Sequence, residues 1–292
     1  MPYTIKESVV CNLCGADSYR LFLEKDGFNI VTCNNCGLTY VNPRPSDKDI
    51  KRLYQEEDYF KRDRDGIGYR DYFADEKLHI NTFKRELNLI EKIKKGGSLL
   101  DVGCAAGFSL KVAKERGWRV YGVEMSKSAS LYARDMFGVD VFNGTLEEAG
   151  YPDDHFDLIT AYGTIEHTPD PLAFIKGVRR VLKEDGILVL ATPDTGSWLG
   201  NRRFQYKPLE HLYYFNRHVI TKMLKKADME VFGVRKMKVY RSIRFLLERL
   251  RYYFKALAPI ANTIESINRE TKLFDLSLFI PDGQMVIYAR KT

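Results

Sequence analysis

Apolar residues recur at spacings of three and four across residues 71–95, where Ile80, Phe83, Leu87, Ile90 and Ile93 share one stripe. This predicts a long amphipathic helix stopped by Gly96-Gly97. From residue 98 the rhythm shortens. SLLDVG (98–103) is a compact apolar run, a strand, and FSLKVAKERG (108–117) a helix closed by glycine. RVYGVEM (119–125), VDVFNG (139–144), FDLITAYG (156–163) and ILVLATP (187–193) predict four more strands. SKSASLYARDMFG (126–138) and PLAFIKGVRRVLKEDG (171–186) predict two more helices. A helix over 216–227, a strand EVFGVRKMKVY (230–240) and a last strand QMVIYARK (284–291) follow. Strands alternating with helices of this length are βαβ units, which places the chain in the α/β class with a parallel, doubly wound sheet.

The first 45 residues do not share this rhythm. They are short, turn-rich and bear CNLCG at 11–15 and CNNCG at 33–37. YVNPRPS (40–46) ends the module, and Ser46 three residues before Asp49 approximates a capping box that starts a helix. The pattern divides the chain into a module at 1–45, a helical linker at 46–97 and an α/β domain at 98–292, with a helical insertion at about 241–275. The 292 residues are 45% hydrophobic and 29% charged, the composition of a soluble globular protein. The opening MPYTIKESVV has no apolar core of a secretory signal, and no uncharged apolar run nears about 18 residues. The expectation is a cytoplasmic chain with no transmembrane segment.

That compartment bears on the five cysteines, because structural disulfides are rare under reducing conditions. Cys11-x2-Cys14 and Cys33-x2-Cys36 have the spacing of two facing zinc knuckles, with Gly15 and Gly37 taking the turn conformations. Four thiolates close a tetrahedral site and leave no position for substrate, so residues 1–45 are expected to form a small zinc-ribbon module whose zinc is structural. A redox disulfide is the rival reading, although neither pair adjoins a thioredoxin-like unit. Cys104 reads as packing.

Net charge is +7, and residues 235–255 alone hold eight basic side chains against one acid. One patch carries the excess. In 241–258 Ile243, Leu246, Leu247, Leu250, Phe254 and Leu257 form a stripe flanked by arginines. Three readings fit: a packed lid, a peripheral membrane or lipid-carrier contact, and a nucleic-acid patch.

DVGCAAG places Asp101, Gly103, Ala105 and Gly107 at a strand-to-helix junction, where small residues admit a ligand to the helix N-terminus. Glu124 ends the next strand, 23 residues after Asp101, as suits an acid that grips ribose hydroxyls. A dinucleotide fingerprint would need glycine where Phe108 stands, so a dehydrogenase is disfavoured. With Glu124, NGTLEE (143–148) and FDLITAYGTIEHTPDP (156–171), the turn resembles the class I S-adenosylmethionine-dependent methyltransferases over about residues 71–240. The resemblance implies a Rossmann-like seven-stranded sheet. It implies that Asp101 and Gly103 hold the methionyl end, Glu124 the ribose and Thr145-Leu146 the adenine edge, with Tyr162 and Gly163 under the sulfonium. Ala105 replaces the middle glycine of the motif, and Thr145 a frequent aspartate.

Methyl transfer to a hydroxyl needs alignment and removal of a proton. His167, after the strand 156–163, and His211 are rival candidate bases; His79, His155 and His218 have no special claim. His211 lies in a long loop, 192–215, with Trp198, Phe204, Tyr206, Tyr213, Tyr214, Phe215, Arg202 and Arg203. Its aromatic residues suit stacking on sugars, and the two arginines suit a phosphate or carboxylate. Transfer to a small-molecule or saccharide acceptor is the first reading. An RNA methyltransferase that uses the ribbon and basic helix is the second, and a non-catalytic S-adenosylmethionine-binding protein the third.

Overall fold

The structure, a computed structural model, describes residues 6–55, 72–73, 75–198, 200–201, 205–243, 245–247, 259 and 277–292. The N-terminal module holds β1 (Lys6–Glu7), β2 (Tyr19–Lys25), β3 (Phe28–Cys33), β4 (Thr39–Val41) and β5 (Arg44–Pro45). β2 and β3 join through Asp26-Gly27, both at positive φ (51° and 76°), which matches the right-handed twist of a tight hairpin. α1 (Asp47–Gln55) follows. Its start is a capping box: the Asp49 N–H donates to the Ser46 hydroxyl at 3.2 Å, and that hydroxyl donates to the Asp49 carboxylate at 3.1 Å.

α2 (Glu76–Ile90) is shorter at both ends than the helix expected over 71–95, with Gly96 and Gly97 at positive φ beyond it. Then come β6 (Ser98–Val102), α3 (Phe108–Glu115), β7 (Arg119–Glu124), α4 (Lys127–Phe137), β8 (Asp140–Asn143), β9 (Phe156–Tyr162), α5 (Pro171–Val181) and β10 (Leu182–Pro193). β11 (Tyr213–Tyr214), α6 (Arg217–Lys226), β12 (Met229–Ser242) and β13 (Ser277–Lys291) complete the described chain. The large sheet has seven strands in the order β12-β13-β10-β9-β6-β7-β8, and β13 is antiparallel to both neighbours.

Its central strands β6, β9 and β10 are buried on both faces. Leu100, Ile159, Leu190 and Ile287 pack into one core with α5 and α6 residues; Leu99, Leu158, Val189 and Val286 pack into another with α2 and α3 residues. Both faces covered by helices explains runs that are apolar rather than alternating.

Two elements depart from the sequence pattern. The helix expected through 186 stops at Val181, because Leu182 is extended and pairs with Phe156. The freed carbonyls of Arg180 and Val181 accept the N–H groups of Asp154 and His155 instead. The last strand begins at Ser277 rather than 284, carrying Pro281 and Gly283 through an irregular register with β12. Within the helical insertion expected at 241–275, β12 runs to Ser242, and Ile243 and Phe245–Leu247 are helical; the remainder, except Pro259, lies outside the described residues.

Candidate functional site

The residues expected to hold the cofactor gather at the carboxyl ends of β6, β7, β8 and β9. Gly103 and Gly107 sit at φ of 76° and 75°, and a Cβ at Gly107 would lie 2.7 Å from Ala133 Cβ. Only glycine takes such a conformation beside such a neighbour without strain. Ala105 also takes positive φ, 48°, so the departure from the glycine pattern costs about 1–2 kcal/mol. The turn is bound to the next strand: the Gly103 and Cys104 N–H groups donate to the Val123 carbonyl at 2.8 and 3.2 Å.

Glu124 reaches back to the same turn. Its carboxylate accepts from Ala105 N–H at 2.9 Å and from Ser126 N–H at 2.8 Å. Burial raises its pKa, and these backbone donors oppose the rise. Asp101 is 3% exposed, with its oxygens taken by the Thr160 hydroxyl at 2.7 Å and the Ser109 hydroxyl. Burial pushes its pKa up to about 6, against the two hydroxyl donors. Asp101 thus lies beneath the turn and braces it. Thr145 caps the turn after β8 reciprocally with Glu148, and Leu146 is buried. Tyr162 ends β9 with its ring 5.3 Å from Phe83, and Gly163 follows at φ 63°.

Three residues beyond Gly163 a second cluster begins, on a 3-10 turn from Ile165 to His167. Glu166 is 2% exposed; its carboxylate accepts from the Thr192 hydroxyl at 2.9 Å, and its carbonyl accepts from Leu212 N–H at 2.8 Å. His167 presents Nδ1 to the Tyr54 hydroxyl at 2.6 Å and to the Glu210 carbonyl at 2.9 Å. The His211 ring stands edge-on to His167, centroids 4.8 Å apart. So the structure unites the two rival bases in one site. Burial lowers both pKa values, which keeps both rings neutral at pH 7. His211 Nδ1 is buried and has no hydrogen-bond partner among the described residues.

Glu166 lay within the motif, but nothing in the sequence pointed to Tyr54, 113 residues from its histidine. The aromatic residues of the 192–215 loop take a different role from the stacking expected. Tyr206, Tyr213, Tyr214 and Phe215 are all less than 5% exposed and serve as core; Trp198 is exposed. Arg202, Arg203 and Phe204 lie outside the described residues.

The four cysteines of the N-terminal module converge. Cys11 and Cys36 sulfurs lie 3.4 Å apart, and Cys14 and Cys33 sulfurs 3.6 Å. Edges of an S4 tetrahedron around zinc measure about 3.8 Å, so the set fits that ion. Gly15 and Gly37 take φ of 76° and 80° and donate to the Cys11 and Cys33 carbonyls, closing each knuckle. Cys104 is buried apart from them, and burial raises its thiol well above the usual range.

This module is stitched to the histidine cluster. β11 pairs with β4 as the fourth strand of the ribbon sheet, placing Tyr213 opposite Tyr40. Val41 N–H donates to the Leu212 carbonyl at 2.9 Å. Asn12 bonds both Asp170 and the Leu172 N–H, and Lys226 reaches the Leu13 carbonyl at 2.6 Å.

Residues 73–232 match the methyltransferase domain family. The chain belongs to that family and to its S-adenosylmethionine-dependent class. A Mycolicibacterium smegmatis protein named "probable S-adenosylmethionine-dependent methyltransferase" is 27% identical over 137 residues, 47% of this chain. The chain spans only 53% of that relative's length. The demethylmenaquinone methyltransferase of Listeria monocytogenes serotype 4a is 27% identical over 65% of this chain and 76% of its own. The solved Burkholderia thailandensis 1,6-didemethyltoxoflavin-N1-methyltransferase, with bound 1,6-didemethyltoxoflavin and S-adenosylhomocysteine, shares the fold at a TM-score of 0.54. It is 14% identical and covers 94% of this chain and 99% of its own. No helix among the described residues is long and apolar enough to cross a membrane.

Proposed function

We propose that the protein transfers a methyl group from S-adenosylmethionine to an oxygen of a small-molecule acceptor, with saccharides the first class to test. The observation that carries the reading is the buried pair of neutral histidines, His167 and His211, on the segments that follow β9 and β10. S-adenosylmethionine supplies an electrophilic methyl carried on a sulfonium. The chain's own work is to hold, orient and deprotonate. Gly103 and Gly107 let backbone approach the ligand, Glu124 shapes the turn that receives the adenosyl group, and Asp101 places negative charge beneath the methionyl end. The histidine pair takes the acceptor's proton as the oxygen–carbon bond forms, leaving S-adenosylhomocysteine. The named substrates of two relatives, demethylmenaquinone and a toxoflavin precursor, are small molecules, which supports this acceptor class over RNA.

The test is calorimetric titration with S-adenosylhomocysteine, followed by an acceptor screen at two salt concentrations. Binding and saccharide methylation that salt barely affects are expected. Uptake of NAD without S-adenosylhomocysteine would sink the cofactor assignment. Methylation of RNA alone, weakening steeply with salt, would sink the acceptor class.

A further inference from the structure

We propose that Tyr54 is a positioning residue for the acceptor-side base: together with the Glu210 carbonyl it brackets Nδ1 of His167 and turns a bare Nε2 toward the acceptor. The inference rests on the methyl-transfer reading above and goes beyond it by dividing the labour between the two histidines. The Tyr54 oxygen lies 2.6 Å from Nδ1, and the Glu210 carbonyl oxygen 2.9 Å. A carbonyl oxygen can only accept, so Nδ1 carries the ring's hydrogen. A neutral imidazole has one N–H, which leaves Nε2 with its lone pair. The Tyr54 and His167 rings meet edge to face at 86°, which fixes the plane of the imidazole.

The two rings differ in what surrounds them. Facing His167 are Glu166, Lys207, His211, Tyr54 and the Glu210 carbonyl. Burial disfavours its cation, Glu166 and the Glu210 carbonyl favour it, and Lys207 opposes it. Facing His211 are His167, Lys207 and Lys25, all of which disfavour a second positive charge. Its Nδ1 has no described partner to set its tautomer. His167 therefore receives the proton, and His211 stays neutral to hydrogen-bond the acceptor. Once Nε2 is protonated, the Nδ1–H between two oxygens becomes a charge-assisted bond, stronger than in the resting ring. Tyr54 comes from α1, directly after the ribbon, so the linker contributes to the site.

The test has two independent arms on the full chain. Long-range proton–nitrogen NMR of the 15N-histidine protein, with S-adenosylhomocysteine, reads the His167 tautomer without any acceptor. Hydrogen on Nδ1 is expected; hydrogen on Nε2 overturns the proposal even if methyl transfer is real. In the second arm Tyr54→Phe removes one such bond, worth about tenfold in kcat. S-adenosylmethionine KM should hold, and the acid limb of kcat should move to lower pH, because the imidazolium has lost a partner. An unchanged limb with native cofactor affinity would reduce Tyr54 to packing and refute the role. If Tyr54→Phe does not fold, the wild-type tautomer decides.

Discussion

Asp101 offers a measurement that separates stability from function. Its carboxyl is almost wholly buried and, by burial, titrates at about 6 where an unfolded aspartate titrates at 3.8. Between those values the folded state binds the proton more tightly, so stability falls as pH rises from 3.8 to about 6 and levels off above. At 1.36 kcal/mol per pH unit, the ionised carboxylate costs the fold about 3 kcal/mol at pH 7.5. Asp101→Asn keeps an oxygen for the Thr160 hydroxyl and offers an amide hydrogen to the Ser109 oxygen, and it removes the charge. The variant should be more stable by up to about 3 kcal/mol at pH 7.5 and by about half that at pH 5, read from urea unfolding at each pH. Its affinity for S-adenosylhomocysteine should fall roughly tenfold or more if, as proposed, Asp101 places its charge beneath the methionyl ammonium. A variant no more stable than the parent at pH 7.5, or a gain that ignores pH, would refute the buried-charge argument. Unchanged cofactor affinity would refute the assignment of Asp101 to the methionyl end.

Three further perturbations test separate parts of the structure. Gly107→Ala places a methyl 2.7 Å from Ala133 Cβ at φ 75°, and should cost about 1–3 kcal/mol in thermal unfolding and weaken cofactor binding by calorimetry. Arg235→Gln strands Glu86, which is 2% exposed and ion-paired to Arg235 from β12; about 3 kcal/mol should be lost, and Glu86→Gln should lose less. Cys33→Ser should release zinc by elemental analysis and raise hydrogen exchange at 39–41 and 212–214, with S-adenosylhomocysteine binding retained.

The features legible in the sequence are those set by nearby residues. Gly103, Gly107 and Glu124 could be placed because a strand, a turn and a helix within about 25 residues dictate them. The two CxxCG knuckles likewise need only their own glycines and each other's sulfurs. The helix through 171–186 failed at Leu182 because a distant strand, at Phe156, captured that residue. β13 starts before the expected 284 because its long pairing with β12 overrides Pro281 and Gly283, which ordinarily break strands. The aromatic residues of 206–215 look the same in sequence whether they meet a ligand or a ribbon; Tyr213 meets Tyr40. Tyr54 carried no periodic or motif signal at all.

The path of β11 shows how the segment that carries His211, a proposed base, is held in place. Leu212 is clamped on both sides: its carbonyl accepts from Val41 of the ribbon, and its N–H donates to the Glu166 carbonyl of the 165–167 turn. His211 immediately precedes it. Each such bond contributes only about 1 kcal/mol, too little to order a loop of this length against its own conformational entropy. A metal held by the four thiolates would contribute on the order of 10 kcal/mol to folding of the module that presents β3 and β4. The position of His211 is thus tied to the ribbon sheet through a short backbone ladder. The glycine turn and Glu124 are bound instead by β6 and β7 of the large sheet, and take nothing from that ladder. Loss of the metal should therefore loosen the acceptor half of the site while the cofactor half stays assembled.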